Sequence, residues 1–215
     1  MNKKDKLRIL IMTLRDYIKN GGMTSEVVSK ATQELKVIGH VYDHNIFPRL
    51  SNTESFLDES EDSPRNLAEA LLWKLGKWKS YKKFAQYYVD DVSKPSNTDV
   101  VFFAFARHLK DKNNPIYDQH AIRAMWAISD KLNSDEKNKC KKLLIDKKGK
   151  WKATGTGGSA TDCYRIFLNH IDDMVKGGAS KRENDLLLMP LGQALKEYSE
   201  NYDEFCQLCG WNVAS

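Results

Sequence analysis

The sequence predicts an all-α protein built as an orthogonal multi-helix bundle. Three observations carry this prediction. Apolar residues recur every three or four positions through most of the chain, which is the period of a helix face. The breaks between these segments hold Gly, Pro, Asn and Ser, residues that start and stop helices. Runs that alternate or are β-branched over a strand's length are few and weak. The 215 residues suffice for one good core, or one core with a small appendage. Residues 1–62 read as an N-terminal helical lobe and 63–215 as the main helical domain, with one fused domain as the alternative.

The elements follow in order. "KKDKLRILIMTLRDYIKN" has helical spacing and stops at Gly21-Gly22. "TSEVVSKATQELKVI" starts at a Thr24/Ser25 cap and ends before Gly39. An acidic loop, "ESFLDESED", leads to "SPRNLAEALLWKL", with Ser63 as cap, Pro64 at the first helical position and Gly76 closing. "KSYKKFAQYYVDDV" is a further helix, stopped before Pro95. In "TDVVFFAFARHLK" Thr98 caps, and the Phe102, Phe105, Leu109 spacing favours a helix over the strand its β-branched start suggests. Helices over "DQHAIRAMWAISDKL", "SDEKNKCKKLLI" and "DCYRIFLNHIDDMV" come next, the last two separated by the polar loop "GKWKATGTGGSAT". Ser180 and Glu183 form a capping box for the final long helix.

Composition narrows the function. The apolar run "ILIM" is broken by Arg15 and Asp16, so no membrane span is expected, and no cleavage site follows it as in a signal peptide. Four cysteines do not suggest a disulfide scaffold, and the reading is a cytoplasmic protein. The net charge of +5 is unevenly placed. Residues 54–62 carry five acids and no base, whereas residues 131–152 carry nine lysines against three acids, and 65–89 six basic residues against one acid. A polyanion is drawn to the two basic segments, although a solvated lysine surface has the same composition.

Within those segments Lys77, Trp78, Lys79 and Tyr81 alternate rings with charge, a pattern suited to stacking on unpaired bases while ammonium groups hold phosphates. Trp73 and Phe84 are expected to face a core. Lys139, Lys141, Lys142, Lys148, Lys150 and Lys152 are further phosphate contacts, and Gly157 and Gly158 lie in a Gly-rich loop ahead of a helix, where backbone N–H groups attract anions. His40 and His44, with Asp43, have a spacing that suits a metal on a helix, but Gly39 and "NIFPRL" point to a frayed end, and no metal or other cofactor is expected. Cys206 and Cys209 lack further soft ligands and read as apolar contacts. Asp118 is explained as a helix cap, with a neutral His120 beside it and Arg123 as a surface or core-edge charge.

"PIYDQHAIRAM" resembles the D-[TS]-H-V-x-R segment of the helix-hairpin-helix-GPD superfamily of base-excision DNA glycosylases, through Asp118, His120 and Arg123. In that family a helix, hairpin and helix precede the Asp, and "KPSNTDVVFFAFARHLK" occupies that place. "LAEALLWKLGKWKSYKKFAQYY" would match the earlier core helices and "ENDLLLMPLGQALKEYSE" the later ones, so the resemblance spans residues 64–200. It implies a glycosylase-like helical core, and for Asp118 a place near the sugar of a flipped nucleotide, stabilising positive charge as the glycosidic bond breaks. The family's G-x-G hairpin with its following Lys or Gln is missing, the lyase lysine is replaced by residues near Thr98 and Asp99, and the four-cysteine tail is absent. The expectation is therefore a DNA- or RNA-binding scaffold without full base-excision chemistry. A helical subunit that docks a protein partner and a monofunctional glycosylase using Asp118 are the alternatives.

Overall fold

Seven of the ten described α-helices begin where a short polar side chain accepts a free N–H of the first turn. The computed structural model describes residues 1–42, 64, 66–90 and 94–211. Among them are ten α-helices and no strand, only isolated bridges. Helix α1 (Lys3–Lys19) is capped by Asn2, and α2 (Ser25–Ile38) by Thr24, with Gly39 closing it at φ 104°. Helix α3 (Leu67–Lys74) is capped by Asn66, whose side chain accepts the Glu69 N–H, so it starts later than the expected Ser63-Pro64. Ser63 lies outside the described residues. Helices α4 (Trp78–Val89) and α5 (Val100–Lys110) follow. The β-branched start of α5 is helical, and its N-cap is Asp99 rather than Thr98.

Helix α6 (Gln119–Ile128) is capped by Asp118 as expected. Helix α7 (Ser134–Leu144) has a complete capping box from Asn133 and Glu136. Helix α8 (Ala160–Met174) ends in a short 3-10 turn, and α9 (Lys181–Glu197) carries the predicted Ser180/Glu183 box. Tyr198 caps the end of α9, and a separate α10 (Tyr202–Leu208) follows. No described helix is long and apolar enough to cross a membrane.

Helix α6 is the centre of the bundle. Every residue from Ala121 to Ile128 is buried; such a helix is covered on all sides. Helix α9 packs along it, α2 packs on α9, and α1 contacts both α2 and α6. Arg15 of α1 donates to the carbonyls of Ala127 (2.7 Å) and Cys209 (3.0 Å), tying α1 to the C-terminal, carbonyl-rich end of α6. Backbone bonds from Met23 to Met174 and from Ala179 to Met23 join the α1–α2 turn to the end of α8. Leu7, Leu14 and Leu35 thus belong to the same buried cluster as Ile122, Phe167 and Leu191, and among the described residues the core runs across the expected boundary at residue 62.

Two close backbone approaches set these packings. A Cβ on Gly192 of α9 would lie 2.1 Å from the His120 carbonyl oxygen of α6. A Cβ on Gly177 would lie 2.6 Å from the carbonyl carbon of Gly22. Glycine is required at both places because backbone, not a flexible side chain, occupies the space.

Candidate functional site

The site is built around the start of α6. Asp118 Oδ1 accepts the N–H groups of His120 (2.7 Å) and Ala121 (2.9 Å), two of the free donors of the first turn. Asp118 remains only half-buried and lines a cleft of about 290 Å³. One wall is Thr98, Asp99 and Phe102 at the start of α5, and the other is the loop Ala153 to Thr156. Thr98, Asp99 and Phe102 also wall a larger groove of about 850 Å³, whose other side presents Lys79, Lys82 and Lys83 of α4. The cleft therefore opens against a lysine-lined groove.

His120 is half-buried, and burial pulls its pKa below the ordinary histidine value; the Asp118 charge opposes this and Arg123 adds to it. It is neutral at pH 7, as expected, though desolvation is the main cause. Arg123 Nη1 lies 3.2 Å from His120 Nδ1. A guanidinium only donates, so Nδ1 is the acceptor and the imidazole proton sits on Nε2.

Arg123 corrects the expectation of a surface or core-edge charge, because it is fully buried at 0 % exposure. Its guanidinium lies 4.3 Å from the centroid of the Trp151 ring and donates to the Gly192 carbonyl at 3.0 Å. Nε and Nη2 have no hydrogen-bond partner. Burial lowers its pKa to about 10, against the opposing pull of Asp118, so it stays cationic at neutral pH. Spacing along α6 could not show this, because the partners come from residues 151 and 192.

The remaining predicted residues fall into distinct surroundings. Lys77 and Lys79 are exposed at the start of α4. Trp78 and Tyr81 stack on each other at 5.5 Å and are half-buried. The Tyr81 hydroxyl donates to the buried Glu69 at 3.0 Å, so this pair braces α3 on α4 instead of offering two open rings. Trp73, expected to face inward, is 58 % exposed; the short α3 turns its ring out. Phe84 does pack inward, against Phe102 and Phe105.

Lys139 is held by Asp135 (3.0 Å) and Asp162 (3.7 Å), which occupy the ammonium group a phosphate would need. Lys141 lies 3.8 Å from the Tyr202 ring centroid. Lys142 is exposed, and its carbonyl accepts from the Lys152 ammonium. Lys148 and Lys150 lie in a tight turn that sequence reading took for the start of a loop. Asp146 Oδ1 accepts their backbone N–H groups at 2.8 and 2.9 Å, Gly149 adopts φ 77°, and Ile145 bridges Trp151. This turn forms a depression of about 430 Å³ with Lys141, Lys147 and Tyr202.

Gly157 and Gly158 are exposed. The Gly157 N–H donates to the Asn97 carbonyl, and Asn97 Oδ1 accepts both the N–H and the hydroxyl of Thr161 in the first turn of α8. These bonds engage Gly157 and Thr161 within the fold. The ties also hold the loop against the residues that precede α5. His40 is buried beside Glu197 (3.3 Å), while His44 and Asp43 lie outside the described residues. Among the described residues no group of three metal-ligating side chains converges. All four cysteines are free and buried, including Cys206 and Cys209.

Sequence reading missed Trp151, Asn97, His108 and Asp185. Asp185 was legible in part: it stands three and six residues before Leu188 and Leu191, on the face of α9 that turns inward. No protein-family model matches the chain, and no curated protein or solved structure matches it at a significant level.

Proposed function

We propose that this chain is a nucleic-acid-binding helical protein, with the α4 groove and the Asp118 cleft as its binding surface. One observation carries the reading: the lysine-lined groove and the cleft share Thr98, Asp99 and Phe102 as a wall. Beyond the cleft, its loop wall runs back from Ala153 through Lys152 and Lys150 to the lysine turn. A strand tracking this path meets ammonium groups before and after Asp118. Such a field attracts phosphates at either side and leaves the half-buried Asp118 carboxylate near a sugar.

The resemblance to the helix-hairpin-helix-GPD scaffold fits this reading. Its excision chemistry is not part of the proposal. The residues ahead of α5 hold no glycine, and Ser96 there donates to the buried Asp99, so the family's glycine phosphate grip has no counterpart. A cytoplasmic setting belongs to the same proposal and suits four free thiols.

The test is titration of labelled single-stranded and duplex DNA and RNA at low salt. Replacing Lys79 and Lys83 by Glu is expected to weaken binding by at least about tenfold, since two phosphate contacts become repulsions. Asp118→Asn is expected to keep or raise binding, because Asn also caps helices well and a charge that repels phosphates is removed. No binding to any probe removes the reading. Base release from a lesion-bearing duplex that disappears in Asp118→Asn would establish the glycosylase alternative.

A second reading, a helical subunit docking a protein partner, is favoured by α3, where Leu67, Leu71, Trp73 and Leu75 are 58 to 90 % exposed. Stable co-purification with one identified protein, and no affinity for nucleic acid, would support it.

A further inference from the structure

Behind Asp118 lies a second carboxyl that the binding reading does not use. Asp185 sits in the second turn of α9 and is 3 % exposed. Its Oδ1 accepts the Ile116 N–H at 3.0 Å, two residues ahead of Asp118. His108 of α5 works from the other side, donating from Nδ1 to the Asn114 carbonyl at 2.7 Å. The two side chains clamp the segment that delivers Asp118 to the head of α6. Asp185 Oδ2 has no hydrogen-bond partner, and His108 Nδ1, already engaged, is 4.0 Å away.

Among the described residues, Asp185 is paired with no lysine or arginine. It faces the imidazole of His108, the carboxylate of Asp118 and, just past α2, the Tyr42 ring, whose hydroxyl is pushed up by burial and then by both carboxylates. Burial holds the His108 pKa below the ordinary histidine value, and Lys112 and Arg182 add to this while the Asn114 carbonyl and Asp111 oppose it. A buried carboxylate with one unfilled oxygen and a like charge nearby is costly, so the neutral acid is favoured. Burial first, and the Asp118 charge after it, raise the Asp185 pKa to about 8, against the pull of the Ile116 N–H.

We propose that Asp185 is a second functional carboxyl of this site: a positioning residue for Asp118 that, by holding or releasing one proton, sets the negative charge a bound polyanion meets there. The inference rests on the nucleic-acid reading. With Asp185 protonated, a bound strand meets Asp118 and the wall carboxylate of Asp99; with Asp185 ionised, a further negative charge lies behind Asp118 and the Asn114–Asp118 segment is repelled.

The stability consequence has a definite sign. The folded-state pKa lies above the ordinary value of 3.8, so the folded chain holds a proton that the unfolded chain releases. This group's contribution is full below the ordinary value and is lost as pH rises to about 8. Asp185→Asn keeps an acceptor for Ile116 and has no charge to bury. It is expected to melt higher than wild type, by a margin that widens from about pH 5 to about pH 8 and then levels.

The experiment pairs those melts with binding of a labelled DNA oligonucleotide to the full chain, at constant low salt, from about pH 6 to about pH 9. Wild type is expected to lose several-fold more affinity than Asp185→Asn across a step centred near pH 8, and carbon NMR to show one side-chain carboxyl titrating there that the variant lacks. Salt-sensitive binding with parallel pH profiles for the two proteins overturns this inference and leaves the nucleic-acid reading standing. No binding by either protein at about pH 6 overturns both.

Discussion

Gly192→Ala is expected to lower the melting temperature by about 6–12 °C, the equivalent of about 3 kcal/mol in a chain of this length. The added methyl would lie 2.1 Å from the His120 carbonyl oxygen. Overpacking is usually relieved by rotating a side chain, but here the obstacle is backbone in the first turn of α6. Relief requires α6 and α9 to separate, and they form the most extensive helix pair among the described residues. His120 neighbours Asp118, so the same displacement disturbs the cleft, and nucleic-acid affinity is expected to fall with stability. Circular-dichroism melts check the effect. A variant melting within about 1 °C of wild type would show that the α6–α9 contact is not as close as described.

Arg123 gives the second large effect, and its sign depends on the replacement. Arg123→Ala is expected to cost about 3–5 kcal/mol, because it empties a fully buried volume and removes the stack on Trp151 and the bond to Gly192. Arg123→Met is expected to cost less than about 1.5 kcal/mol or to stabilise, since it fills much of the same space with no buried charge. The reasoning turns on Nε and Nη2, which have no hydrogen-bond partner, so the buried charge is only partly satisfied. Denaturant unfolding distinguishes the two. Equal, large losses in both variants would mean that the charge itself is needed for folding.

Much of the fold was legible because local chemistry and tertiary structure agree. The caps at Thr24, Asp118 and Ser180 are local decisions, readable as residue type followed by helical spacing. The helical reading of α5 came from aromatic spacing that outweighed its β-branched start. What was not legible depends on residues far apart in the chain. Arg123 read as a surface or core-edge charge because its partners lie 28 and 69 positions away, at Trp151 and Gly192. Asp185 carried no reading from the sequence, because Ile116 and His108 close over it only in the fold. The contact between Asn97 and the Gly157 loop was not legible either, since the two are about sixty residues apart. The lysine turn at residues 145–151 did leave a signal, Asp146 and Gly149 bracketing two lysines, which the surrounding lysine run obscured. Within the basic segments, composition marked the region, but burial and ion pairing choose among its lysines: Lys139 is taken by Asp135 and Asp162, whereas Lys79 and Lys83 border the groove.

The central claim is that a polyanion binds along the α4 groove past Asp118. Its most direct test is the salt dependence of binding, measured as log K against log salt for wild type and for the Lys79→Glu, Lys83→Glu double variant. The account predicts a wild-type slope of about −3 to −5 and a slope shallower by about 1.5–2 in the variant, as two phosphate contacts are lost. Binding whose slope is unchanged in the variant, or no binding at low salt, would contradict it.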